Sequence, residues 1–460
     1  MQTAIGDADD GLPTPRRYFA AAGIILAIVM AVLDGAIVNI ALPTIAEEMK
    51  VSSSMAIWVV NAYQLAVTVA ILPAAALGQK LGYQRFYIVG LSLFVLCSVA
   101  AAMSRSFEAL TIARGCQGLG AACVMSANGA MLRHTYPGSM LGRGLGLNST
   151  FIAIATTGGP IVAGAILAVG SWRWLFAVNL PFGALAIVIL LLSMPRTEPS
   201  PIRFDILNAL LNAATFGLLV FAVANAGHGQ RWTFTIAQIA GAAVAGALLV
   251  RRETGRRNPM LPLDLLGNRL FALSCATSIC AFSAQALAFV SLPFFFHIAL
   301  GKSAIEIGAM MAAWAMALGA AAPVAGRLAD KHPAGLLGSV GLTVLALGLL
   351  SATLFSAETP VWRVVASMAV CGIGFGFFQT PNGRTMLIVG PKSRSGAAGA
   401  MISTARLLGQ SIGAALAALI FGLSAPASEH LALFAGAAFA LIGAGISLLR
   451  LRVDDGASIS

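Results

Sequence analysis

Fourteen stretches of this 460-residue chain are apolar over the length that a helix needs to cross a bilayer. A hydrocarbon core of about 30 Å takes about 20 helical residues. Six candidate spans come first, near 17–43, 54–78, 85–104, 107–132, 143–169 and 172–194. Two follow at 204–225 and 233–250. Six more lie near 269–298, 304–326, 335–355, 361–384, 396–422 and 430–449. Only 10% of residues are charged, 58% are hydrophobic and the mean hydropathy is +0.88. Soluble domains carry about 25% charged residues, so this chain has too little polar surface to fold in water alone. The expected class is an all-α polytopic membrane protein.

The net charge of +11 is explained by topology rather than by nucleic acid, because the basic residues are scattered through short loops with no basic helix or interleaved aromatics. If residue 1 lies in the cytoplasm, 20 of the 28 Lys and Arg fall in cytoplasmic segments, six fall outside, and Arg114 and Arg406 lie within spans. This positive-inside bias predicts that both termini are cytoplasmic. Trp58, Trp172, Trp174, Trp232 and Trp362 lie near expected outer helix ends, as an interfacial belt would. Trp314 is mid-span and faces either lipid or a cavity. The opening residues, MQTAIGDADDGLPTP, are polar and acidic and do not resemble a cleavable leader.

The chain repeats. AALGQK at 75–80 corresponds to GRLADK at 326–331, and GGPIV at 158–162 to GQSIG at 409–413, both with an offset of 251. The expected organisation is a tail at 1–16, a six-helix bundle at 17–194, a two-helix insertion with linkers at 195–268, a second six-helix bundle at 269–452, and a tail at 453–460. Parallel repeats of this kind build transporters whose substrate sites lie near mid-membrane between the halves.

Asp34 is the one acidic residue expected deep inside a span. Intramembrane ionisable groups are costly and mark function by default. A carboxylate there can hold a proton or a cation but not both at once, which is a basis for antiport. It can also serve only as a hydrogen-bonding tie. Arg114 stays charged and needs a carboxylate, carbonyls or water. Arg406 can line a cavity or reach a carbonyl. Asn39, Asn61, Tyr63, Gln64, Gln117, Gln285, Gln379 and Asn382 can face a cavity or bond neighbouring helices. The six cysteines and five histidines form no metal-like pair, and no phosphate-binding GxxxxGK[ST] loop is present. No cluster of His, Asp or Ser suggests an enzyme.

Five stretches resemble the major facilitator superfamily, and more closely its fourteen-helix drug:proton antiporter branch: LDGAIVNIALPTI (33–45), ALGQKLGYQR (76–85), RGCQGLGAA (114–122), GGPIVAG (158–164) and WRWLFAVNLPFG (172–183). The resemblance implies the major facilitator fold, two six-helix bundles plus two inserted helices. It implies proton coupling through Asp34 and Arg114, and conformational roles for Gly78, Gln79, Lys80, Gly82 and Arg85, for Gly159, Pro160 and Gly164, and for Asp330 in the second half. Two features depart from the family pattern. Gln79 stands where an aspartate is usual, and the fifth-helix motif ends in Ala163-Gly164 with Ala155 upstream, a partial match.

The expected function is proton-coupled export of lipophilic, cationic drugs or biocides, with an anionic or zwitterionic metabolite or lipid as the alternative cargo. Asp34, Asn39, Tyr63, Gln64, Gln117, Gln285, Trp314, Gln379, Asn382 and Arg406 are the candidate substrate-binding residues. The expected drive is the proton gradient with no cofactor. The expected partners are a small-molecule substrate, protons and the lipid bilayer. The expected setting is a monomer in a bacterial inner membrane.

Overall fold

The computed structural model describes residues 11–137, 140–195, 197–199, 205–225, 232–254, 263–329, 331–356, 358–389, 395–422 and 428–457. Among them the structure is helical, with no strand. The long helices are α1 (Arg16–Met49), α2 (Trp58–Leu81), α3 (Tyr83–Ala102), α4 (Phe107–Thr135), α5 (Leu141–Val169), α6 (Asn179–Ser193), α7 (Ile206–Asn225), α8 (Trp232–Glu253), α9 (Arg269–Ile298), α10 (Ala304–Leu328), α11 (Ala334–Ala352), α12 (Val361–Val389), α13 (Ser395–Gly422) and α14 (Ser428–Ala457). Local chemistry marks several starts. The Ser106 hydroxyl accepts from the Ala109 amide, Asn268 caps α9, and Ser303 with Glu306 forms a capping box on α10. Each satisfies amides that a helix start leaves open.

Eleven of the described helices are long and apolar enough to cross a membrane by length and composition, against the fourteen spans expected. Arg114, Gln117, Asn128 and Arg133 make α4 more polar than the other spans, and in α5 and α7 the described residues include the apolar stretches Gly158–Val169 and Ile206–Leu219. Exposed apolar residues such as Val89, Leu96, Val169 and Leu192 face outwards, a surface suited to lipid and a liability in water.

Packing follows the repeat. α3 packs on α4, α2 on α4, α1 on α5 and α1 on α6. The same pairings recur as α11 on α12, α10 on α12, α9 on α13 and α9 on α14. The halves meet where α5 packs on α10 and α2 on α13, two contacts that exchange under the repeat. The inserted pair breaks this symmetry, because α7 packs on α8, α2 and α13 and has no counterpart in the other half. The Asn212 amide on α7 donates to the Val69 carbonyl at 2.8 Å.

Glycines set the register. A Cβ on Gly120 would come within 2.6 Å of the Phe94 nitrogen, and one on Gly374 within 2.5 Å of the Leu345 nitrogen. Phe94 and Leu345 keep the 251 offset, whereas Gly120 and Gly374 differ by 254. The repeat therefore shifts by three residues between these helices, and the counterpart of Arg114 is Met368.

One sequence expectation is corrected: Trp172 is 1% exposed rather than interfacial, and its indole nitrogen donates to Glu48 at 2.6 Å. Arg450, just past the last expected span, is fully buried on α14 and donates to Asn382 at 2.8 Å. Glu253, at the end of α8, is buried as well and accepts from the Asn208 amide.

Candidate functional site: a buried ion pair behind a central cavity

α1 runs between α4, α5 and α6, so its central residues meet three helices rather than lipid. Asp34 sits there, fully buried. One carboxylate oxygen pairs with the Arg114 guanidinium. The other accepts from Gln117 at 2.9 Å and from Asn179 at 2.8 Å. Arg114 and Gln117 are three residues apart and share a face of α4, where the guanidinium also donates to the Gln117 oxygen at 2.6 Å. Its Nε donates to the Val59 carbonyl at 3.1 Å. The Gln117 amide reaches the Ser98 hydroxyl at 2.7 Å.

Opposite charges are thus paired and hydrogen-bonded, the condition under which buried ions are tolerated. The guanidinium lies 4.3 Å from the centre of the Tyr63 ring and 5.4 Å from that of Phe176, a cation–π arrangement. The Tyr63 hydroxyl donates to the Ala31 carbonyl at 2.6 Å.

Tyr63 also lines a cavity of about 340 Å³ between the two halves. Asn39, Gln64, Gln285, Gln379, Arg406 and Gln410 supply polar groups, and Phe282, Phe289 and Phe375 supply aromatic ones. Among the substrate-binding candidates the structure brings Asn39, Tyr63, Gln64, Gln285, Gln379 and Arg406 together here. Asp34 and Gln117 belong instead to the network behind Tyr63. Trp314 is fully buried, edge-on to Phe289 with ring centres 5.0 Å apart, and does not line the cavity. Asn382 is away from the cavity too, held between Arg450 and the Ser278 hydroxyl, the latter at 2.8 Å.

The charged network is one-sided. At the 251 offset Gln285 replaces Asp34 and Trp314 replaces Tyr63, and Met368 takes the place of Arg114. Sequence reasoning missed two members of the network. Asn179 had a signal, since it is the one carboxamide in WRWLFAVNLPFG. Ser98, a small hydroxyl in an apolar helix, had none.

The conformational motifs also find places. A Cβ at Gly78 would come within 2.9 Å of the Phe86 ring. Gly82 has a φ of +88°, and a Cβ there would come within 2.5 Å of the Thr197 carbonyl. The Gln84 side chain donates to the Met194 carbonyl at 3.1 Å. This turn is therefore docked on the chain leaving α6, while Lys80 and Arg85 are exposed and Gln79 is half-buried. Asp330 lies outside the described residues. A Cβ on Gly159 would come within 2.8 Å of the Ala36 Cβ, and one on Gly164 within 3.2 Å of the Gly308 Cα across the two halves. Pro160 lies inside α5, and its carbonyl would be 3.0 Å from a Cβ on Gly308. Further cross-half contacts close the same end: Glu47 with His297 at 2.8 Å, and Ser54 with the Ala418 carbonyl at 3.2 Å. The bundle is sealed at the end remote from both termini.

Two repeated helical bundles around a mid-bundle cavity, with a buried ion pair beside it, are the architecture of a two-bundle membrane transporter. The chain belongs to the Major Facilitator Superfamily, whose family profile matches residues 24–414. It is 45% identical to the uncharacterized transporter YebQ of Escherichia coli, over 96% of this chain and 97% of that protein. It is 30% identical to the riboflavin transporter RibZ of Clostridioides difficile, over 87% of each chain. It is 34% identical to the multidrug resistance protein Stp of Mycobacterium tuberculosis, over 88% of this chain and 76% of that one. YebQ and RibZ are transporters by name, and Stp and several further relatives are multidrug resistance, efflux or export proteins by name.

Proposed function

We propose that the protein exports lipophilic aromatic compounds from the cytoplasm in exchange for protons. One observation carries this reading: Tyr63 contacts the Asp34–Arg114 pair through Arg114 and lines the cavity as well. A change of protonation at Asp34 is then one contact away from bound cargo.

The cycle follows from charge. With Asp34 ionised, the pair to Arg114 is intact, and the seal remote from the termini leaves the cavity to load from the other side. The positive-inside bias makes that side the cytoplasm, in a fourteen-span, multi-pass arrangement with both termini inside. Once cargo has left outwards, a proton from outside binds Asp34 and ends the ion pair. Arg114 then rests on Gln117, the Val59 carbonyl and the two rings. The halves rock back, Arg114 pairs again, and the proton is released inside. No nucleotide or cofactor enters the cycle, and one chain suffices.

The riboflavin relative favours aromatic cargo, as do the aromatic and carboxamide side chains of the lining. A cationic cargo would rest on Asp34, which is outside the lining. The alternative of an anionic or zwitterionic cargo is favoured by Arg406, the only charged residue among the described residues of the lining. The test is reconstitution into liposomes with an imposed pH gradient and a panel of aromatic dyes and biocides. Gradient-dependent flux is expected, and none for any compound would refute the reading.

A further inference from the structure

Half-buried Arg406 differs from the two fully buried arginines among the described residues. Arg114 pairs with Asp34 and Arg450 donates to Asn382. Arg406 lines the central cavity, and its Nε is buried without a hydrogen-bond partner. Among the described residues no carboxylate pairs with it. A guanidinium held inside a membrane span without a counter-ion is costly, and an intramembrane charge marks a functional site by default.

The surroundings complete a site. Ser403, Arg406 and Gln410 recur at spacings of three and four along α13, so one helical face presents them to the cavity. Gln285 and Gln379 line it from α9 and α12 and can both donate and accept. Phe289 on α9 offers an aromatic face. A planar guanidinium binds carboxylate or sulfonate oxygens through paired donors. In a cavity of low dielectric it attracts an anion and repels a cation more strongly than it would in water.

Resting on the transport reading above, we infer that the cavity selects aromatic anions, with Arg406 binding the anionic group. Arg406 is a specificity-determining residue, whereas Asp34 couples the proton.

The test is equilibrium binding to the full-length protein in detergent, with no pH gradient, by isothermal titration calorimetry. The probes are naphthalene-2-carboxylate, naphthalene-2-carboxamide and 2-naphthyltrimethylammonium. The carboxylate is expected to bind at least tenfold tighter than the carboxamide, with the cation weakest. Arg406→Gln should reduce the carboxylate to the carboxamide's level, and Arg406→Lys should retain part of the preference. The Arg406→Gln variant should unfold at the wild-type temperature or above it, because a charge without a partner is removed; if it unfolds lower, the wild-type ranking alone decides. A cation that binds as tightly as the carboxylate, an unchanged preference in folded Arg406→Gln, or no binding by any probe overturns the inference. Because no gradient is used, such a failure leaves proton coupling at Asp34 untouched. Loss of gradient-driven flux with this ranking intact would refute the transport reading alone.

Discussion

The Arg114 guanidinium lies 4.3 Å from the centre of the Tyr63 ring, so the cation that holds Asp34 rests on a wall of the cavity. Lysine at this position would keep the charge and lose the fork. It could not serve Asp34, Gln117 and the Val59 carbonyl together. Arg114→Lys is expected to lower gradient-driven transport at least tenfold and to destabilise the protein by about 1–3 kcal/mol through unsatisfied buried groups. Flux in proteoliposomes and thermal unfolding in detergent check the two parts.

Two buried carboxamides should behave differently. Asn179 donates to Asp34 and Asn382 is tied to Arg450. Asn179→Ala and Asn382→Ala should each cost about 1–3 kcal/mol of stability by leaving a buried partner unsatisfied. Only Asn179→Ala should shift the pH dependence of transport, since only it alters the surroundings of Asp34. A shift of equal size in both variants would show that the pH profile reports general loosening.

The seal remote from the termini depends on close approach of α5 and α10. A Cβ on Gly308 would come within 2.8 Å of the Gly164 Cα. Gly308→Val should therefore hold the halves apart at this end while each bundle still folds. Its effect can be read from cross-linking of Glu47→Cys to His297→Cys by a short thiol-reactive bismaleimide, at the position where the native side chains now meet at 2.8 Å, in a background without the native cysteines. The expected result is a lower cross-linking yield with Gly308→Val, and an equal yield would show that the glycine contact does not govern closure.

Much of this arrangement was legible in the chain. Apolar length predicted helices at the right places, and the 251 offset predicted two bundles whose pairings the structure repeats. Asp34 stood out because a carboxyl in an apolar run is costly. Its meeting with Arg114 was not legible, because which faces of α1 and α4 meet depends on packing rather than on spacing within either helix. The three-residue shift at Gly120 and Gly374 was hidden for a related reason: it shows only in what a Cβ would strike. Polar residues were harder still. Gln379 lines the cavity and Asn382, less than one turn later, does not. Trp314 looked like a cavity residue, yet it stands behind Phe289.

The central claim is that Asp34 carries the exchanged proton. The most direct test follows a pH-sensitive dye trapped in proteoliposomes as substrate is added, for wild type and Asp34→Asn. The variant keeps the size and the hydrogen-bonding capacity of the side chain and removes its proton exchange. Wild type is expected to show substrate-dependent proton movement. Asp34→Asn should show none, while folding and inserting normally and still binding substrate. Proton movement at the wild-type rate in Asp34→Asn would contradict the account.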